Sequence, residues 1–224
     1  MKHYYHKEIL IPVLKNIELE GELTIPEEAK AIVIFSHGSG SSRKSERNQM
    51  VARRLQQQNI GTLLFDLLTE QEDRDYYNRF NIDLLTERLI EVTEWLCAQK
   101  EFSAYKIGYF GASTGAASAL NAAAVLPQVS AVVSRGGRPD LAMDQLPKVT
   151  VPVLLIVGSL DYDVILLNDK AYAELSCEKR LKIIDGASHL FEEEGTLDEV
   201  ADEAIDWFQK YLTSVNKQNR QLYV

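Results

Sequence analysis

The chain has 224 residues, 46% of them hydrophobic, and carries 24 basic against 33 acidic side chains for a formal net charge of −9. That size suits one core, and the surplus of carboxylates argues against a nucleic-acid or anionic membrane surface. Two cysteines, Cys97 and Cys177, show no C-x-x-C spacing, which suggests neither a disulfide framework nor a zinc site.

The amino-terminal MKHYYHKEIL has no continuous apolar stretch and no small-residue cleavage site, and no later run approaches the ~18 apolar residues of a membrane span, so a cytoplasmic protein is expected. HKEILIPV and IELEGELTIP read as an antiparallel hairpin. The second strand places Ile17, Leu19, Gly21, Leu23 and Ile25 on one face and Glu18, Glu20, Glu22 and Thr24 on the other. After Pro26 the pattern changes to short runs that are apolar throughout: AIVIFS, IGTLLFD, KIGYF, SAVVS, PVLLIVG and RLKIID. Such runs belong to parallel strands covered on both faces. Helical stretches alternate with them: RNQMVARRLQQQ, IDLLTERLIEVTEWLCAQK, TGAASALNAAAVLP, NDKAYAELS, and an amphipathic TLDEVADEAIDWFQKYL with Thr196 as its N-cap. The predicted architecture is one α/β domain over residues 1–213: a mostly parallel sheet of about eight strands with an antiparallel N-terminal hairpin and helices on both faces. A polar tail follows at 214–224. The long connection LLTEQEDRDYYNRF, residues 67–80, is either a lid over the strand ends or a surface loop anchored by Tyr76, Tyr77 and Phe80.

The strand AIVIFS stops in HGSGSSRKS, a small-residue loop that could cradle a phosphate or shape an oxyanion hole. A phosphate loop needs a second glycine where Arg43 stands, ahead of Lys44 and Ser45. A dinucleotide fingerprint could use Gly38, Gly40 and the strand-end Asp66, but its third glycine also falls at Arg43. The oxyanion reading gains force from YFGASTGA, where Gly111-x-Ser113-x-Gly115 stands between a strand and a helix of small residues. A serine in such a sharp turn needs neighbours with almost no side chain.

A serine hydroxyl needs an imidazole in reach and an acid to orient that imidazole. His3 and His6 lie in the leading strand and His37 precedes the serine, so only His189, in DGASHLFEEEG, follows in the order serine, acid, histidine. Its competing role is that of a histidine at the start of the last helix, paired with Glu192 to Glu194. For the acid, GSLDYDV offers Asp161 first and Asp163 two residues later, while Asp140 follows the preceding strand; Asp161 is favoured. At another strand end, VVSRGGRPDLA sets Arg135 where ligands of open α/β sheets bind. It either holds a substrate carboxylate or phosphate or pairs with Asp140.

These four motifs resemble the α/β-hydrolase superfamily and, in their compactness, its dienelactone-hydrolase-like branch. FSHGSGSS is similar to the oxyanion loop, GASTGA to the nucleophile elbow, GSLDYDV to the acid loop and GASHLF to the histidine loop, over about residues 4–212. The resemblance implies Ser113 as nucleophile, His189 as general base and acid, and Asp161 as orienting carboxylate. It also implies an oxyanion hole from the backbone N–H of Thr114 and that of Ser39 or Gly40, with His37 on the substrate side pinning the loop. Dienelactone hydrolase attacks with a cysteine, and neither Cys97 nor Cys177 is near the elbow in sequence, so dienelactone specificity is not carried over. The absence of a large cap insertion implies an open pocket. The expected function is a serine hydrolase cleaving a small carboxylic ester, thioester or lactone through an acyl-enzyme, without metal or organic cofactor. Its partner would be a small acyl substrate, with a homodimer left open. The alternative is a catalytically silent scaffold of the same fold that binds a small ligand.

Overall fold

The structure is a computed structural model and describes residues 3–214, so the tail expected beyond Ser214 lies outside the described residues. In chain order the strands are β1 (His3–Val13), β2 (Ile17–Pro26), β3 (Ala31–Ser36), β4 (Gly61–Phe65), β5 (Lys106–Ala112), β6 (Val129–Arg135), β7 (Val153–Gly158) and β8 (Lys179–Ile184). The helices are α1 (Glu46–Gln57), α2 (Glu70–Asp73), α3 (Ile82–Ala98), α4 (Thr114–Ala123), α5 (Tyr162–Glu174) and α6 (Thr196–Phe208). Together the strands make one eight-stranded sheet in the order β1-β2-β4-β3-β5-β6-β7-β8. β1 and β2 pair antiparallel, with Ile11 opposite Leu19, and β2 meets β4 antiparallel; the other five pairings are parallel.

Each inner strand divides its side chains between two cores, as the period of two requires. Ile32 and Ile34 join the layer of α3, α4 and α5, while Val33 and Phe35 join that of α1 and α6, where Phe35 and Phe110 pack with ring centroids 5.0 Å apart. This is why the strands read as unbroken apolar runs. In β2 the alternation holds through Glu18 and Glu20, which are exposed, and ends at Thr24, which is buried where α1 crosses that end of the strand. No helix among the described residues is long and apolar enough to cross a membrane.

Three local expectations need correction. Helix α5 starts six residues before Asn168, directly after Asp161, because the loop after β7 turns into it without a break. The N-cap of α6 is Gly195 at φ 79°, and Thr196 is the first helical residue, its hydroxyl donating to the Glu193 carbonyl at 2.7 Å. The left-handed turn suits glycine and shifts the helix start by one. Finally, the aromatics of residues 67–80 anchor nothing: Tyr76, Tyr77 and Phe80 are exposed and pack on one another. Buried Leu67 and Leu68 hold that segment, together with an ion pair from Arg88 on α3 to Glu72 on α2 at 2.9 Å.

Candidate active site

Small residues build the elbow. To pass from β5 into α4 without a loop, Ser113 adopts φ 51° and ψ −122°, a conformation that costs a non-glycine residue about 1–3 kcal/mol. The turn closes only because its neighbours lack side chains: a Cβ on Gly111 would fall 2.5 Å from Ala116 Cα, and one on Gly115 only 2.2 Å from the Ser36 carbonyl oxygen. No side chain caps α4; the Ala116 N–H bonds the Ser113 carbonyl at 3.1 Å, while that of Thr114, at the positive end of the helix dipole, meets no acceptor among the described residues.

The loop after β3 is tied to this elbow. Ser39 N–H donates to Thr114 Oγ1 at 2.9 Å, and Gly38 comes so near that a Cβ there would lie 3.1 Å from Ser113 Cβ. The tie separates two amides that the sequence leaves equal. Ser39 N–H is occupied by Thr114, whereas the N–H of Gly40, at φ 69°, meets no acceptor among the described residues. His37 is buried, with Nδ1 bonded to the Gly38 carbonyl at 2.9 Å and Nε2 accepting from Leu67 N–H at 3.0 Å. These bonds require the neutral ring with its proton on Nδ1. Burial holds its pKa below 6.5 although the Gly38 carbonyl, Asp66 and Asp73 pull upward. Both nitrogens being engaged by backbone, His37 joins the loop after β3 to the segment after β4. Its edge also lines a cavity of about 460 Å³ with Ser41, Ser42, Arg43, Asp66 and Asp73. Asp66, the carboxylate a nucleotide would need, is held there by the Arg43 backbone N–H at 2.7 Å and by the Arg43 guanidinium.

Acid and histidine arrive from separate strands. Asp161 follows β7 and His189 follows β8, and Asp161 Oδ2 lies 2.6 Å from His189 Nδ1. A proton on Nδ1 leaves Nε2 as the free acceptor. Asp163 lies exposed in the first turn of α5, and Arg138 grips Asp140 with two 2.8 Å bonds. Of the glutamates that competed for the histidine, Glu192 is engaged by Arg47 at 3.1 Å and Glu193 by Ser188 N–H at 3.0 Å. Ser113 and His189 border the same stretch of backbone: Ser113 N–H donates to the Arg135 carbonyl at 3.2 Å, and a Cβ on the next residue, Gly136, would lie 3.5 Å from His189 Cε1.

Of the two alternatives for Arg135, the pair with Asp140 does not form, because Arg138 already holds that carboxylate. The Arg135 side chain is buried and turns toward Asn48 on α1 and the ring of Phe191. Asn48, Phe191 and the Thr114 hydroxyl were not legible as site residues. Only Thr114 carried a signal, its place directly after the serine.

The sequence matches a family model described as an alpha/beta hydrolase domain over residues 29–215. Among curated proteins it is 53% identical over 198 residues to a protein named "Putative phosphoribosyl transferase" in two strains of Mycobacterium tuberculosis. The match covers 88% of this chain and 44% of that protein, so the chain spans less than half the length of these relatives. Among solved structures it is similar to a dienelactone hydrolase from Anabaena variabilis, with 51% identity, a TM-score of 0.91, and coverage of 93% of this chain and 98% of that one. An esterase domain from a Rhodothermus marinus protein shares the fold at 19% identity, with a TM-score of 0.76 over 92% of this chain and 99% of that one.

Proposed function

This chain belongs to the alpha/beta hydrolase family, and from that premise we propose that it is a serine hydrolase cleaving a small carboxylic ester, thioester or lactone through an acyl-enzyme. In this reading Ser113 Oγ attacks the carbonyl carbon while His189 Nε2 takes its proton, and Asp161 holds the imidazole and stabilises its charged form. The tetrahedral oxyanion is met by the N–H groups of Thr114 and Gly40. Collapse breaks the bond to the leaving group, which takes the proton from His189. Water then attacks the acyl-enzyme with His189 as base, releasing the acid and restoring Ser113.

The observation that carries this reading is the 2.6 Å bond joining Asp161 to His189 from the ends of neighbouring strands, beside the backbone that also receives the strained serine. An inert glycine-rich turn would need neither the strain nor the pair. The name of the Mycobacterium relatives describes proteins more than twice as long as the matched region, and we assign the transferase activity to the part outside it.

Covalent labelling by a fluorophosphonate, read by intact mass, tests the proposal. One adduct on the wild type, absent from Ser113→Ala and His189→Ala, is the expected result. A folded wild type that stays unlabelled and turns over no ester would favour the silent ligand-binding scaffold.

A further inference from the structure

Arg135 ends β6 and shares a face with Ala131 and Val133, so its side chain leaves the sheet beneath α1 and the histidine loop. It is 7% exposed, yet no carboxylate pairs with it among the described residues. Nη2 reaches Asn48 Oδ1 at a long 3.5 Å, Nε has no acceptor, and the guanidinium carbon lies 5.8 Å from the Phe191 ring centroid. A second guanidinium comes from Arg47 in the first turn of α1. Its Nη1 bonds Glu192 at 3.1 Å while its Nε is likewise buried without an acceptor. Burial, with some repulsion from Arg47, pushes the Arg135 pKa down to about 10, which still leaves it charged at neutral pH. Removing such a charge from water without a partner is strongly unfavourable. What Arg135 lacks among the described residues is an anion, the nearby Glu192 being taken by Arg47.

We propose that Arg135 and Arg47 form an anion subsite beside Ser113 that takes a carboxylate or phosphate group carried by the substrate. The subsite rests on the hydrolase reading and narrows its substrate to acidic acyl compounds. Its placement follows from the backbone: the Arg135 carbonyl receives Ser113 N–H, and Gly136 lies against the His189 ring. The residue that carries the buried guanidinium is thus bonded through its own backbone to the serine. Arginine suits this role, since its planar fork can bind two oxygens of one anion at once.

The test has two arms, one independent of turnover. In the first, inorganic phosphate is added to the Ser113→Ala protein and the melting temperature is followed. Stabilisation that disappears in Ser113→Ala/Arg135→Gln is expected. In the second, hydrolysis of a 4-nitrophenyl hemiglutarate is compared with that of its neutral methyl ester. Arg135→Gln should lower kcat/KM for the acidic ester about tenfold more than for the neutral one, through KM. Arg47→Gln, whose side chain is partly exposed, repeats the comparison should the Arg135 variant fold poorly. Equal losses on both esters overturn the subsite. So does phosphate stabilisation through Arg135 without an acidic preference in turnover, since the ion would then bind apart from the substrate. If no ester is cleaved and no fluorophosphonate adduct forms while phosphate still stabilises through Arg135, the hydrolase reading fails and the anion site stands.

Discussion

Arg88 and Arg135 are both buried, at 2% and 7% exposure, in opposite kinds of surroundings. Arg88 leaves α3 to meet Glu72 at 2.9 Å and Glu91 at 3.1 Å, and it fastens the segment after β4 to the body of the domain. Arg135 stands at the end of β6 with a weak amide contact, an aromatic ring and another arginine. One cation is neutralised by carboxylates and, among the described residues, the other is not. The same contrast in charge separates the two regions around them: paired ions about α2, and backbone strain and an unpaired guanidinium about Ser113. Groups left incomplete inside a stable fold are the ones available to a substrate.

The largest effects belong to the strained region. Ser113→Gly should remove ester turnover by a factor on the order of 10⁴ or more while raising stability by up to about 1 kcal/mol, because glycine adopts φ 51° without strain. Denaturant melts paired with turnover would check both signs, and a destabilised variant would mean that the elbow holds no strain worth relieving. Within the same region, Asp161→Asn should lower kcat by about 10⁴, whereas Asp163→Asn should stay within about threefold of wild type. Comparable losses at both positions would break the assignment of the acid to Asp161.

The two arginines can then be set against each other directly. Arg88→Met leaves two carboxylates without their cation and should cost about 3–5 kcal/mol of unfolding free energy. Arg135→Met leaves no carboxylate behind and should change stability by less than about 1 kcal/mol, or increase it. Urea melts of both variants measure the difference. A cost at Arg135 equal to that at Arg88 would make it a structural residue and remove the premise of the anion subsite.

Sequence patterns captured the strands and the elbow because each rests on a local rule. Parallel strands covered on both faces read as apolar runs, and the turn at Ser113 leaves no room for a Cβ at Gly111 or Gly115. His189 followed from chain order and Asp161 from its place as the first carboxylate after its strand, and the two are hydrogen-bonded in the structure. What escaped were long-range choices between equal local candidates. Nothing local to Arg135 or Arg138 says which takes Asp140, and Ser39 differs from Gly40 only through a hydroxyl 75 residues away. Within the segment 67–80 the aromatic anchor of the surface-loop alternative failed for a related reason. Its aromatics suggested an anchor, but the anchor came from buried Leu67 and Leu68 and from a glutamate meeting an arginine on the following helix.

The smallest effect tests the join between the two regions. His37 links the loop beside Ser113 to Leu67, and it does so only as a neutral ring, since a protonated Nε2 cannot accept the Leu67 N–H. Burial lowers its pKa in the folded state below 6.5, so the unfolded chain takes up a proton first as pH falls. The stability that His37 contributes is therefore complete above about pH 6.5 and declines as pH drops through the lower folded-state value. Other groups titrate over the same range, which makes a difference measurement necessary. The gap in melting temperature between wild type and His37→Asn should narrow from pH 8 toward pH 5, and ester turnover per folded molecule should fall with it as the loop loses its tether. A gap constant across that range would mean that the ring keeps its bonds when charged, and the two regions would be joined by packing rather than by this histidine.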